Sequence, residues 1–181
     1  MKRILLGVTG SDAAPKAAEL AEKLTKNGYA VDAILTRAAQ KFVPVARLET
    51  ATRRIVYTDA LLDDTPPEAR YLMLAKDADL AVVAPATANT IAKIASGSAD
   101  NLLTLTLLAL EHTPVLLCPS MDAAVYRSPA TQRNRRTLEN DGYYFLGPRE
   151  TENGKGPLAE TDAIVAEIVD MLNPDLWGAY I

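Results

Sequence analysis

Short, densely apolar runs alternate along this chain with longer segments in which apolar residues return every three or four positions. The first kind of pattern predicts buried strands and the second predicts amphipathic helices. "RILLGV" (3–8), "AVDAILT" (30–36), "RIVYT" (54–58), "DLAVVAP" (79–85), "PVLLCP" (114–119) and "YYFLG" (143–147) read as strands. The fourth is apolar without interruption, as a central parallel strand covered on both faces should be. Between them, 12–28 reads as a helix with Ala17, Leu20, Ala21 and Leu24 on one face and Gly28 as its stop. Further helices are expected over 67–78, 88–96, 100–111, 128–142 and 161–172, the fourth and fifth strands being separated by the pair that Gly97 divides. Ser128 caps the 128–142 helix and Pro129 opens it. Strand and helix alternate throughout, which predicts an α/β fold: one Rossmann-like, doubly wound domain over 1–181 with a mostly parallel sheet. The segment 147–160 is rich in Gly, Pro and charge, and reads as a long functional or mobile loop.

Composition narrows the function. The chain has 181 residues, 49% hydrophobic and 23% charged, with a net charge of −4. That charge predicts no general attraction to nucleic acid or an anionic membrane. No apolar run approaches the roughly 20 residues that span a bilayer, and the apolar run after Lys2 and Arg3 is too short for a signal peptide. A cytoplasmic protein is expected. A single cysteine, Cys118, excludes an internal disulfide and a multi-cysteine metal site.

In an open parallel sheet, ligands sit beyond the carboxyl ends of the strands. Four polar segments fall there: "TGSDAAPK", "TRAAQKF", "PATANT" and "PSMDAAVY". Gly10 permits close approach, and Ser11 stands at a helix N-terminus that favours an anion such as phosphate. Thr36 and Arg37 add a hydroxyl and a positive charge, and Thr87, Asn89 and Thr90 add polar groups on a segment small enough for a flat ring. The full G-x-G-x-x-G spacing is missing, which disfavours a standard dinucleotide site. A nucleotide-like, phosphate-bearing flat ligand is the expectation. Elsewhere, His112 is expected in a surface loop and Cys118 as a small buried hydrophobe. Arg133, Arg135 and Arg136 read as a solvated helix face, Tyr126 as a pocket or packing residue, and Trp177 as a packing anchor.

"GVTGSDAAPKAAEL", "PATANTIAKIASGSADNLLT" and "CPSMDAAVYRSPATQRNRRTLENDGY" together resemble the flavin-dependent cysteine decarboxylase family over about residues 2–172. That family includes phosphopantothenoylcysteine decarboxylase and the decarboxylases of lantibiotic peptides. The resemblance implies FMN, held by Gly10, Ser11, Thr36, Arg37, Thr87, Ala88, Asn89 and Thr90, with Ser120 and Met121 on the substrate side. It also implies a homotrimer or homododecamer, with FMN at a subunit interface and Ser96–Asn101 at the trimer contact. The implied reaction is oxidative decarboxylation of a small-molecule or peptidyl cysteine, with hydride transfer to FMN. Three positions depart from the family pattern. Tyr71 stands where the catalytic histidine is expected, Glu150 or Thr151 where a flap cysteine is expected, and Asp122 where an asparagine binds substrate. These departures leave room for two alternatives: an FMN-dependent redox protein of the same fold, or a non-catalytic subunit completed by a paralogue.

Overall fold

The computed structural model describes residues 1–59, 67–148 and 155–173. Within them the strands are β1 (Arg3–Val8), β2 (Ala30–Leu35), β3 (Leu80–Ala86), β4 (Val115–Pro119), β5 (Met121–Asp122), β6 (Tyr144–Phe145) and β7 (Lys155–Gly156). The α-helices are α1 (Lys16–Lys26), α2 (Val45–Thr52), α3 (Pro67–Asp77), α4 (Ala88–Ala95), α5 (Leu102–Leu108), α6 (Ala123–Arg127), α7 (Pro129–Asn140) and α8 (Thr161–Leu172). Five strands form a parallel sheet in the order β2-β1-β3-β4-β6. All seven residues of β3 are buried, which is why its sequence carries no alternation.

Alternate residues of each strand feed two cores. Ile4, Leu6 and Val8 meet the apolar stripes of α1, α2 and α8 on one face. Leu5, Ala81, Val83 and Leu117 meet Leu74, Ile91, Leu102, Leu103, Leu107 and Leu138, from α3, α4, α5 and α7, on the other. The sheet is therefore doubly wound, as the strand–helix alternation predicted. From β1 the chain moves outward to β2, then returns past β1 to β3. The winding reverses between β1 and β3, and a ligand crevice belongs at that reversal.

Four expectations are corrected. Residues 54–58 do not form a strand: Tyr57 makes a single parallel bridge to Ile34. Arg54 is instead drawn to Asp32, a nearly buried carboxylate on β2 that also takes Arg3. The first helix starts at Lys16 rather than residue 12, because Ser11–Ala14 is spent on a turn closed by Ala14 N–H to the Ser11 carbonyl. The last sheet strand shrinks to Tyr144–Phe145 at the sheet edge. The helix α2 had no expectation, and part of the anticipated long loop is β7, antiparallel to β5. Among the described residues no helix is long and apolar enough to cross a membrane.

Candidate functional site

The carboxyl ends of β1, β3 and β4 are stitched together by short hydroxyl side chains. Thr9, buried just after β1, donates Oγ1–H to the Pro85 carbonyl at 2.7 Å and accepts from the Thr87 amide at 3.1 Å. Ser11 Oγ and Ser120 Oγ lie 3.0 Å apart, and Ser120 N–H donates to the Ala86 carbonyl. Ser11 Oγ also accepts from the Ala13 amide. Such small side chains let three strand ends converge while keeping every buried hydroxyl paired. Gly10 sits in the middle. A Cβ there would fall 2.6 Å from the Ala38 Cβ, so only glycine lets the β1 and β2 loops come this close.

Two hollows open on this floor and share Gly10, Thr87 and Asn89. The larger, about 660 Å³, is walled by Ser11, Ala88, Ser120, Met121 and Asp122, with Phe42, Val125, Pro157 and Leu158 adding apolar surface. Asp12 and Lys16 supply charge beside Asp122. The second, about 560 Å³, takes Thr36, Arg37, Thr90, Lys41, Lys93, Asp59, Asp100 and Asn101. Thr36 is fixed by its own amide and hydroxyl, both donating to the Val8 carbonyl. Thr87 caps α4, its Oγ1 accepting from the Thr90 amide at 3.3 Å. The first-turn amides of a helix have no partner within it, so α4 presents N–H donors beside the shared floor. At the far rim Lys93 clasps Asp100 at 2.6 Å, and that hydrogen bond holds the Asp100 carboxyl below its ordinary range.

Every expected cofactor residue thus comes to this edge: Gly10, Ser11, Thr36, Arg37, Thr87, Ala88, Asn89, Thr90, Ser120 and Met121 all line one hollow or the other. Asp122 joins them. Tyr71 does not. It is half-buried on α3 and packs against the α3–α5 core, lining neither hollow. Glu150, Thr151 and Trp177 lie outside the described residues. His112 is exposed between α5 and β4. Cys118 is fully buried in β4, and burial pushes its thiol well above the usual range, so it remains a protonated hydrophobe. Tyr126 lines neither hollow but is gripped by Arg135. Arg133 and Arg136 are exposed as expected, whereas Arg135 is half-buried.

Sequence reasoning missed Asp12, Lys16, Phe42, Asp59 and Lys93 as lining residues. Asp12, Lys16 and Phe42 lie inside segments already placed at this edge, and Lys93 inside the stretch that carries the family resemblance, so reading those stretches residue by residue would have reached all four. Asp59 had no such signal. It is brought in by its hydrogen bond from the Leu102 amide at the start of α5. Asp100 and Asn101, expected at a subunit contact, line the second hollow.

A family model described as Flavoprotein matches residues 1–173. A probable phosphopantothenoylcysteine decarboxylase of Streptococcus mutans is 40% identical over 177 residues, covering 94% of this chain and 99% of that protein. The chain spans less than half, 41%, of a bifunctional coenzyme A biosynthesis protein of Bacillus subtilis to which it is 41% identical. Among solved structures, the FMN-dependent cysteine decarboxylase SpaF superposes with a TM-score of 0.82 at 30% identity, over 95% of this chain and 97% of that one. A PPC decarboxylase variant complexed with pantothenoylaminoethenethiol superposes with a TM-score of 0.83 at 29% identity, over 93% and 96%.

Proposed function

Because this chain belongs to the flavoprotein family, we propose that its paired hollows bind FMN and that it oxidatively decarboxylates a cysteinyl group, with phosphopantothenoylcysteine as the first substrate to try. The observation that carries the reading is the division of labour across the shared floor of Gly10, Thr87 and Asn89. One side offers Arg37, Lys41 and hydroxyls to a phosphate; the other offers small and apolar walls to a flat ring and its substrate. The relative of near-equal length supports the choice of substrate.

FMN, when bound, supplies the two-electron oxidation that turns the cysteinyl CH₂–SH into a thioaldehyde, an electron sink that lets the neighbouring carboxylate leave as carbon dioxide. The chain's own residues do the rest. Arg37 and Lys41 neutralise the phosphate, and the α4 amides and the Asn89 side chain donate to it or to the ribityl oxygens. Gly10 and Ala88 leave room for the ring to lie against backbone. Asp122 faces the substrate, accepting the amide N–H of the cysteinyl unit. Its negative charge opposes the carboxylate that departs as a neutral gas.

Tyr71 lines neither described hollow of its own chain. An acid–base part for it requires a second copy whose groove lies against α3, where Leu72 and Met73 are exposed apolar neighbours. The same placement favours one rival reading, a subunit completed by a paralogue.

The test is turnover. Purified protein with bound FMN is incubated with phosphopantothenoylcysteine or with a peptide ending in cysteine, and the products are weighed by mass spectrometry. Loss of carbon dioxide and two hydrogens, with bleaching of the flavin, is the expected result for one of them. A flavin-loaded protein that releases carbon dioxide from neither contradicts the reading.

A further inference from the structure

The substrate-facing wall runs from Asp122 at the end of β5 to Val125 in a single helical turn, α6, in which no residue is buried. A turn without core contacts must be held from outside. Its holding contacts converge on Tyr126. Gln132 Nε2 donates to the Tyr126 carbonyl at 2.6 Å, and Arg135 Nη1 donates to the Tyr126 hydroxyl. The Arg135 guanidinium carbon also lies 5.9 Å from the ring centroid of Tyr126 and 5.5 Å from that of Phe145 on β6. Glu139 fixes its Nε at 2.8 Å. One side chain thereby joins α6, α7 and the sheet edge. None of Tyr126, Gln132 and Arg135 lines either hollow.

We propose that Arg135 is a positioning residue that holds α6 through Tyr126 and so sets the place of the Asp122–Val125 wall against the substrate. The proposal deepens the decarboxylase reading and rests on it. The planar guanidinium suits this task because its fixed fork donates to Tyr126 and Glu139 at once with its charge close to the Phe145 ring, which a single-point ammonium does not reproduce. The wall it holds is paired through Met121 and Asp122 with β7, so the clamp also backs the segment whose Gly156, Pro157 and Leu158 complete the groove. The proposed flavin contacts come from the loops after β1 and β2 and from α4; α7 packs against α4, but the Arg135 side chain itself reaches Tyr126, Glu139 and Phe145. Loss of Arg135 is therefore expected to weaken substrate binding and spare the flavin.

Holoprotein carrying Arg135→Leu, Arg135→Lys or Tyr126→Phe is compared with the unaltered chain. Leucine keeps apolar bulk and removes the guanidinium. Amide hydrogen exchange over 122–127 is expected to rise about tenfold in Arg135→Leu, with β1, β3 and α4 unchanged. KM for the cysteinyl substrate should rise about tenfold, since small misplacements of a binding wall are costly, while kcat and the FMN dissociation constant stay within about twofold. Arg135→Lys should recover only part of the loss, and Tyr126→Phe combined with Arg135→Leu should add nothing to Arg135→Leu alone. Unchanged exchange at 122–127 overturns the proposal, as does an unmoved KM in an active enzyme or a parallel fall of kcat, substrate and flavin affinity. If the unaltered holoprotein turns over no cysteinyl substrate, the decarboxylase reading fails by itself, and the exchange comparison alone decides the clamp.

Discussion

Gly10 and Asp122 line the same groove and constrain it in different ways. At Gly10 the constraint is space. An added methyl group would meet both the Ala38 Cβ at 2.6 Å and its carbonyl carbon at 3.0 Å, and neither can move without shifting the loop after β2. Gly10→Ala should therefore cost about 1–3 kcal/mol of stability and weaken FMN binding about tenfold or more, read by denaturant melts and flavin fluorescence. At Asp122 the constraint is charge. One negative charge about 4 Å from a substrate carboxylate costs about 1 kcal/mol in a water-like medium. Asp122→Asn should therefore lower KM for an acidic cysteinyl substrate about fivefold, measured by initial rates, provided the amide keeps the hydrogen bond. These residues were readable beforehand because glycine, hydroxyl and charge cluster in the sequence where strands end. Tyr71 was not readable in the same way. A register inherited by resemblance gives a position along α3, but not the direction in which that helix turns its side chains.

Among the elements, 54–58 and α6 show what periodicity misses. The run "RIVYT" has β-type residues, yet a strand there would need a ladder, and Tyr57 makes only one bridge. What places the segment is electrostatic: the nearly buried Asp32 binds Arg54 at 2.7 Å and Arg3 at 3.2 Å. Asp32, a charge within an otherwise apolar strand, is the anchor for the segment that delivers Asp59 to α5. Arg54→Met should leave Asp32 with Arg3 alone and cost about 2 kcal/mol, less than full orphaning of a buried charge, as checked by chemical denaturation. The short β5–β7 pair and α6 escaped notice because two-residue strands and single turns carry no period. The β5 strand is held by β7, distant in sequence, and α6 by hydrogen bonds from the next helix, α7.

For the whole molecule, the α/β alternation, the burial of β3 and the location of the crevice were all legible, since they follow from apolar periodicity and the winding rule. The fine structure of the rim was not, because it depends on side chains from four loops. The charge pattern adds a property of the entire fold. Hydrogen bonds from the Arg3 amide hold Asp79 below its ordinary value of 3.8, and those from Lys23 and Thr161 hold Glu19 below 4.5. Groups lowered in this way stabilise the folded chain above their unfolded values and lose that contribution as pH falls through the folded ones. Lys23 runs the other way. Its hydrogen bonds to Asp162 and Glu19 raise it above 10.5, so its contribution is full below that value and fades at higher pH. Thermal melts should accordingly be flat from about pH 5 to 9 and fall below about pH 4, with Asp79→Asn showing a shallower acid decline. A melting temperature that is unchanged down to pH 2 would contradict this.

The central claim is that the joined hollows at the β1–β3 reversal hold a flavin by its phosphate as well as its ring, and titration of the flavin-free protein tests it most directly. Quenching of flavin fluorescence should show saturable, one-per-chain uptake of FMN, with riboflavin bound at least about tenfold more weakly because it offers Arg37 and Lys41 no phosphate. Equal affinity for the two, or no uptake of FMN, would contradict it.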